Sequence, residues 1–312
     1  MASAPFPIQP ELTAIAIGYR NPALIADDVL PRVPVGKQEF KYLKYALGDS
    51  FTIPDTRVGR TSKPTEISFG ATEVTDSCVG YGLDDPIPQA DIDNAPPNYN
   101  PLGRATEVLT DLLLLAREQR TANLVFNAAS YTASTNRTKL SEAPTSQFSD
   151  YANSNPITAF LTGLDACVMR PNILVLGQAV WSKLRQHPKV AQALFGANGT
   201  SGIVTREQLA QALEIEEVWV GQGWVNTAKR GQTASLSRLW GKHAAAIYRD
   251  RLADTNRGTT FGLTAQWGER VSGNIPDEDI GLKGGQRVRV GEYVKELVCA
   301  TDLGFFWEDA VA

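Results

Sequence analysis

The stretch NPLGRATEVLTDLLLLAREQRTANLVFNAASY, from Asn100 to Tyr131, decides how the rest of the chain is read. Asn100 is a favoured helix N-cap, and Pro101 behind it has a preset φ and no N–H to satisfy. Ala105, Val108, Leu109, Leu112, Leu113, Leu115, Ala116, Leu124, Val125 and Ala128 recur at helical spacing and predict a broad buried stripe. Arg104, Glu107, Asp111, Glu118 and Arg120 fall to the remaining faces. One helix over the whole stretch would run on the order of 40 Å, about the width of a small domain. An element of that length predicts a spine on which other pieces lie.

Before the spine, residues 1–37 read as an extended arm. Pro5, Pro7, Pro10, Pro22, Pro31 and Pro34 break helices, yet Ile15, Ile17, Tyr19, Leu24, Ile25, Val29, Leu30 and Val33 make the arm apolar. An irregular but sticky segment predicts packing on the same or a neighbouring subunit. Gln38 to Gly82 reads as β: Phe40 and Tyr42 alternate with Lys41 and Leu43, and a second run carries Ile67, Phe69, Val74, Val79 and Tyr81. Between them FTIPDTRVGRTSKPTE is rich in turn formers, with Arg57, Arg60 and Lys63 near its tip. The expected form is a long two-stranded hairpin, marginal alone in water and in need of a partner surface. Asp84 to Asn100 reads as a Pro/Asn/Asp linker; Asp84, Asp85, Asp91 and Asp93 lack the acid–glycine spacing of a calcium loop.

After the spine, Thr132 to Asn155 is polar and reads as surface loop. Asn155-Pro156 repeats the helix-start signal. A strand at 172–176, a helix at 178–186, a short helix from Pro188 to Phe195-Gly196, a capping box at Thr205 and Gln208, and strands IEEVWVG and HAAAIYRD follow. This alternation predicts a compact α/β domain. Thr255 to Gly285 reads as glycine-rich loop with strand at 259–267. Residues 286–301 read as a long strand beside the spine, and Phe305, Phe306 and Trp307 close the chain.

Composition narrows function more by exclusion than by motif. At 312 residues, 43% hydrophobic and 21% charged, the chain can bury a core. A net charge of −4 argues against a dedicated nucleic-acid binder with a basic face. The three cysteines, Cys78, Cys167 and Cys299, are far apart and read as reduced thiols. No signal-peptide pattern or membrane-length apolar run occurs, which predicts a soluble product. Only His187 and His243 are available as imidazole bases, and neither sits in a triad pattern. Gly241-Lys242 is followed by His243 and fails as a phosphate loop; Gly221-Gln222-Gly223 lacks the third glycine of a dinucleotide fingerprint. Glu216 with Glu217 and Asp277-Glu278-Asp279 read as solvated acids, and the sequons at Asn136 and Asn198 carry little weight without a secretory signal. No catalytic residue, cofactor or metal site is nominated, and no enzyme activity is expected.

The order of parts resembles the tailed-bacteriophage major capsid proteins, whose Hong Kong phage-type fold is shared with encapsulin nanocompartments. The resemblance rests on IGYRNPALIADDVLPRVPVGKQEFKYLKY, the spine, PNILVLGQAVWSKLRQHPKV, REQLAQALEIEEVWVG, LWGKHAAAIYRD and QRVRVGEYVKELVCATDLGFFWEDA. It implies an α+β phage capsid fold: N-terminal arm (1–37), extended β-hairpin loop (38–83), peripheral domain with the long spine helix (84–155), axial α/β domain (156–250), a return to the peripheral domain (251–300) and a C-terminal segment (301–312). It further implies a virion subunit, assembled in the bacterial cytoplasm as hexamers and pentamers into an icosahedral shell around non-specifically contacted double-stranded DNA. A portal, a separate scaffolding protein and a decoration protein are the implied partners. Some relatives crosslink a loop lysine to a neighbour; Lys63 alone makes no such motif, and non-covalent shells are expected. Arg57, Arg60, Lys63, Ile15, Ile17 and Tyr19 are the candidate intersubunit contacts. The alternative is an encapsulin-type cargo compartment, distinguished by whether particles hold DNA or an enzyme.

Overall fold

The computed structural model describes residues 8–19, 21–45, 53–66, 71–132, 135–143, 146–196, 202–229, 231–255 and 258–312. Pro5, Pro7, Ile67, Phe69 and the sequon beginning at Asn198 lie outside the described residues. The strands are β1 (Arg32–Val35), β2 (Glu39–Tyr45), β3 (Ala71–Ser77), β4 (Val79–Pro88), β5 (Arg137–Lys139), β6 (Ile173–Gly177) and β7 (Glu217–Gly221). They continue as β8 (Trp224–Asn226), β9 (Leu236–Arg238), β10 (Ala244–Ile247), β11 (Gly262–Trp267), β12 (Val271–Asp277), β13 (Gly285–Val298) and β14 (Gly304–Glu308).

The spine helix runs over Pro101–Val125, about 37 Å of rise. Asn100 caps it: its side-chain oxygen accepts the N–H groups of Leu102 at 3.1 Å and Gly103 at 3.2 Å. The helix stops short of the expected Tyr131 because side chains satisfy its last carbonyls and double the chain back. Ser130 Oγ donates to the Leu124 carbonyl and the Tyr131 hydroxyl to that of Val125, each at 2.7 Å. Ala105, Leu109, Leu113 and Val125 face inward as the spacing predicts, and Ala122 joins them, but Val108 and Leu112 are 41% and 48% exposed. Buried Thr106 and Thr110 take part of their place. Their hydroxyls return to the carbonyls four residues back, at 3.0 and 2.6 Å, and so carry no unmet polar group inward.

The spine lies between two sheets. The peripheral sheet has the order β1-β11-β13-β12, with β4 also pairing with the long central β13. Val288, Val290 and Val294 alternate along β13 onto the buried face, and the first two meet Ala105 and Leu109 of the spine. The expected linker from Asp84 is corrected: residues 84–88 complete β4, antiparallel to β13, and Gln89–Asp93 forms a short helix. β12 likewise replaces part of an expected loop.

The axial sheet has the order β5-β14-β10-β6-β7. Its inner strands β6, β10 and β14 are buried on both faces, whereas edge strand β5 is exposed. Leu174 and Leu176 of β6, Ala244 and Ala246 of β10, and Phe305 and Trp307 of β14 point to one core, under helices Pro156–Ala166, Gln178–Leu184, Pro188–Phe195 and Arg206–Leu213. Ile173, Val175, Ala245, Ile247 and Phe306 point to the other, with Val29, Leu30, Val125, Tyr131 and Phe261. The final aromatic segment thus fills the middle of this sheet rather than trailing from it. Residues 132–155, expected as surface loop, bring Leu140 and fully buried Phe148 into the same core and lay β5 beside β14. The capping box at Thr205 and Gln208 forms as read.

The arm departs most from expectation. It is not irregular: Pro10–Gly18 and Ala26–Val29 are helices, and Arg32–Val35 is the edge strand β1. Pro10 opens its helix at the first position instead of breaking one, and Pro34 is tolerated because β1 pairs on one side only. Ala16, Val29 and Leu30 are fully buried and Leu12 nearly so. At about 1.5–3 kcal/mol per buried large aliphatic side chain, the arm from Ile8 onward is core of its own subunit. Removing the first thirty residues should therefore unfold the subunit as well as impair its association.

Close approach fixes one glycine. A Cβ at Gly221, the last residue of β7, would lie 2.0 Å from the fully buried Trp240 ring, whereas nothing lies within 4 Å of one at Gly36. Gly221→Ala is expected to cost about 1–3 kcal/mol by urea unfolding, with Gly36→Ala near neutral.

Candidate assembly surfaces

The hairpin forms as β2 and β3, antiparallel from Glu39 opposite Ser77 to Tyr45 opposite Ala71, in a sheet that has two strands among the described residues. Val79 and Tyr81, expected in its second strand, belong instead to β4. The ribbon joins the body at its base. Phe40 and Tyr42 are buried with Val33, Val35, Cys78, Leu263, Ala265 and Leu297. The backbone N–H of Cys78 donates to Gln38 at 2.9 Å, and Lys295 of β13 pairs with Asp76 at 3.3 Å.

Residues 53–66 are exposed except for half-buried Pro54. Local bonds shape this tip. Asp55 accepts the Arg57 N–H at 3.0 Å, Thr65 Oγ1 donates to the Asp55 carbonyl at 2.8 Å, and the Ser62 hydroxyl accepts the Gly59 N–H at 2.7 Å. Arg57, Arg60 and Lys63 are all exposed on this stretch, and none of them makes an ion pair among the described residues. Ile53, 91% exposed, and Val58, 48% exposed, accompany them.

Of the three arm residues, Ile15 and Ile17 lie on the helix Pro10–Gly18 and Tyr19 is its C-cap, away from the tip in sequence and secondary structure. Ile15 is half-buried, with its Cδ1 close to Gly103 of the spine. Ile17 remains 48% exposed. Half-buried Tyr19 bonds Asp111 of the spine, and burial followed by that carboxylate raises its hydroxyl pKa.

Sequence reading missed the charged group that clamps the arm to the spine. Glu118, assigned to an outer face, is fully buried. Its carboxylate accepts the N–H groups of Ile25 at 3.0 Å and Ala26 at 2.7 Å, capping the helix Ala26–Val29, and also the indole N–H of Trp240 at 2.5 Å. Arg117, also buried, pairs with Asp27 and donates to Thr264 Oγ1 at 3.0 Å and to the Leu30 carbonyl at 3.3 Å. Glu292 occupies the inward valine row of β13 and pairs with Arg32 at 2.9 Å and Arg270 at 3.1 Å. Arg270 in turn donates to the Ala16 carbonyl at 2.7 Å. The one available signal was that Glu292 continues the alternation of Val288, Val290 and Val294.

Burial pushes the Glu118 carboxyl up, against its three donors. Burial also opposes ionisation of Asp27 and Glu292, but Arg117 and Arg32 beside Asp27, and Arg32 and Arg270 beside Glu292, hold both below the usual carboxylate range.

Several of the other chemical candidates are occupied. Burial lowers His187 to about 4; its Nδ1 accepts the Lys189 N–H at 3.2 Å, a cap for the helix Pro188–Phe195. Burial pushes the Cys167 thiol up to about 12. Asp84 is held by Arg289 at 2.6 Å, Glu217 by Arg249 at 2.8 Å, and Asp277 by Arg287. Among the described residues no group of acids, histidines and cysteines could hold a metal ion, and no helix is long and apolar enough to cross a membrane.

A curated relative, the major capsid protein of Pseudomonas phage JBD67, is 60% identical over 312 residues, covering 100% of both chains. The chain belongs to the phage major capsid proteins. The major capsid protein of Burkholderia phage BcepMu is 26% identical over 308 residues, 96% of this chain and 95% of the relative. No family model matches. A phage-related protein from Bordetella bronchiseptica superposes with a TM-score of 0.76 at 23% identity, over 98% of this chain and 99% of that one. The capsid of cyanophage P-SCSP1u gives 0.60 at 12% identity, over 93% and 89%. The capsid fold with its α+β composition is thus shared across wide sequence divergence. The relatives are structural proteins of the virion, and a capsid protein's working surface is what it offers to other subunits.

The charge clamp has a pH signature. The folded pKa values of Asp27 and Glu292 lie below their unfolded ones, so their contribution is present above the unfolded range and lost as pH falls through the folded values. Glu118 acts in the opposite sense, its contribution fading as pH rises through its raised value. Urea midpoints are expected to fall below about pH 4. Glu292→Gln should lower the unfolding free energy from urea titration at pH 7 by about 3–5 kcal/mol, as for a broken buried pair, and make the acid limb shallower.

Proposed function

We propose that this chain is the major subunit of an icosahedral phage head, assembled as hexamers and pentamers and enclosing double-stranded DNA. The observation that carries the reading is the two-stranded ribbon with its exposed tip, in a chain 60% identical end to end to a phage major capsid protein. A pair of strands has too little burial to hold itself in water, and a neighbouring subunit supplies what is missing. A patch that fits a different patch on the next copy closes into rings, and rings build a shell. The net charge of −4 suits a container that must not clamp its contents. Assembly takes place in the bacterial cytoplasm with a scaffolding protein and a portal, a decoration protein being a further partner, and contacts to DNA are non-specific.

An encapsulin-type cargo compartment would use the same fold. The full-length identity to a phage capsid protein favours the phage head. Particles purified from infected cells are expected to hold DNA and no packaged enzyme; an enzyme cargo without DNA would favour the compartment.

Arg57, Arg60 and Lys63 are proposed as intersubunit contacts together with Ile15, Ile17 and Tyr19, of which Ile17 is the most open. Arg57→Glu with Arg60→Glu is expected to leave subunit stability within about 0.5 kcal/mol, as exposed substitutions do. The same pair should sharply reduce the particle yield seen by electron microscopy. Equal losses in both measurements would assign these arginines to the subunit itself.

A further inference from the structure

The tip has an identifiable complement on the body. A cleft of about 750 Å³ opens where the arm, the spine and β7 meet. Its apolar lining includes Ile17, Leu24, Leu114 and Trp219, and its acids include Asp28 and Glu269. Neither of those two carboxylates is in an ion pair among the described residues, and Glu269 is exposed. Arg32, Arg117 and Arg270 also line it, but each is already bound to Asp27 or Glu292, so the charge left for a visitor is negative.

We propose that this cleft seats the hairpin tip of a second copy, with the Gly59–Ser62 turn entering it and Arg57, Arg60 and Lys63 meeting Asp28 and Glu269. The inference rests on the capsid-subunit reading and names the partner surface of the same hairpin. Both halves of the match are present: the tip joins unpaired cations to exposed Ile53 and Val58, and the cleft joins unpaired acids to apolar walls. A volume of a few hundred to about 1,000 Å³ seats a compact ligand, which suits one turn and not the whole tip. In the other exposed hairpin, β8 with β9, Arg238 covers Trp224 at 3.9 Å and donates to the Gln222 carbonyl at 2.8 Å, which leaves Lys229 as its cation without an ion pair among the described residues, against Arg57, Arg60 and Lys63 on the tip. Complementary exposed charges act chiefly on encounter and register, and salt screens them.

Charge exchange in the full chain tests the assignment. Arg57→Glu/Arg60→Glu and, separately, Asp28→Lys/Glu269→Lys should each lower particle yield by about tenfold, and the four changes together should recover most of it. Glu269→Lys alone, at an exposed position, guards against misfolding at Asp28; its melting should match the parent while its yield falls. A synthetic peptide of residues 53–66 should slow assembly of the parent chain and not of Glu269→Lys. Particles that form normally from Asp28→Lys/Glu269→Lys, or a fourfold variant no better than the worse double, would overturn the cleft assignment and leave the capsid reading standing. A parent chain that builds no particles under any condition would remove both.

Discussion

Charge held away from water governs this subunit. Arg117, Glu118 and Glu292 are each almost wholly buried, and an isolated buried charge is far more expensive than a paired one. Every partner that satisfies them comes from a different part of the chain: the start of the helix Ala26–Val29, Thr264 of β11, Arg270 beside β12, and Trp240 before β10. The arm, both sheets and the spine are therefore joined by bonds that cannot be given up one at a time. A purely aliphatic joint could slide; this one has a fixed register.

Apolar packing completes what those charges specify. The axial sheet sends alternate residues of β6, β10 and β14 into two separate cores, so each strand belongs to both at once. The second core is built with the end of the spine and with Val29 and Leu30 of the arm. The subunit is thus continuous from its N-terminal helix to its final strand. Among the described residues the hairpin ribbon, by contrast, meets the body at its base, through Phe40, Tyr42 and Val74 and the Asp76–Lys295 pair.

Much of the scaffold was legible because its signals are local. Asn100-Pro101, Asn155-Pro156, the box at Thr205 and Gln208, and the alternation along β13 need no knowledge of distant contacts. What could not be read depends on partners far away in the chain. The arm looked irregular because prolines were counted as breakers, when Pro10 occupies the one helical position that welcomes it and Pro34 lies in an edge strand. Glu118 looked solvated because its donors, Ile25, Ala26 and Trp240, are some ninety to one hundred and twenty residues distant. Asp84 to Pro88 looked like linker because its pairing with β13 is more remote still. Of the assembly surfaces, the cationic tip could be seen in the sequence, since nothing in its own composition would bury it; a cleft assembled from arm, spine and β7 could not.

The single spine shared by two sheets has a mechanical corollary. With one rod tied by ion pairs to the arm and to β13, and by the Glu118–Trp240 hydrogen bond toward β10, the body resists changes of angle between its halves. Among the described residues the ribbon has no ion pair to the body beyond Asp76 with Lys295 at its root. Where neighbouring copies meet at unequal inclinations, the mismatch will be taken up as bending of this slender strap, leaving the rest of each tile undeformed.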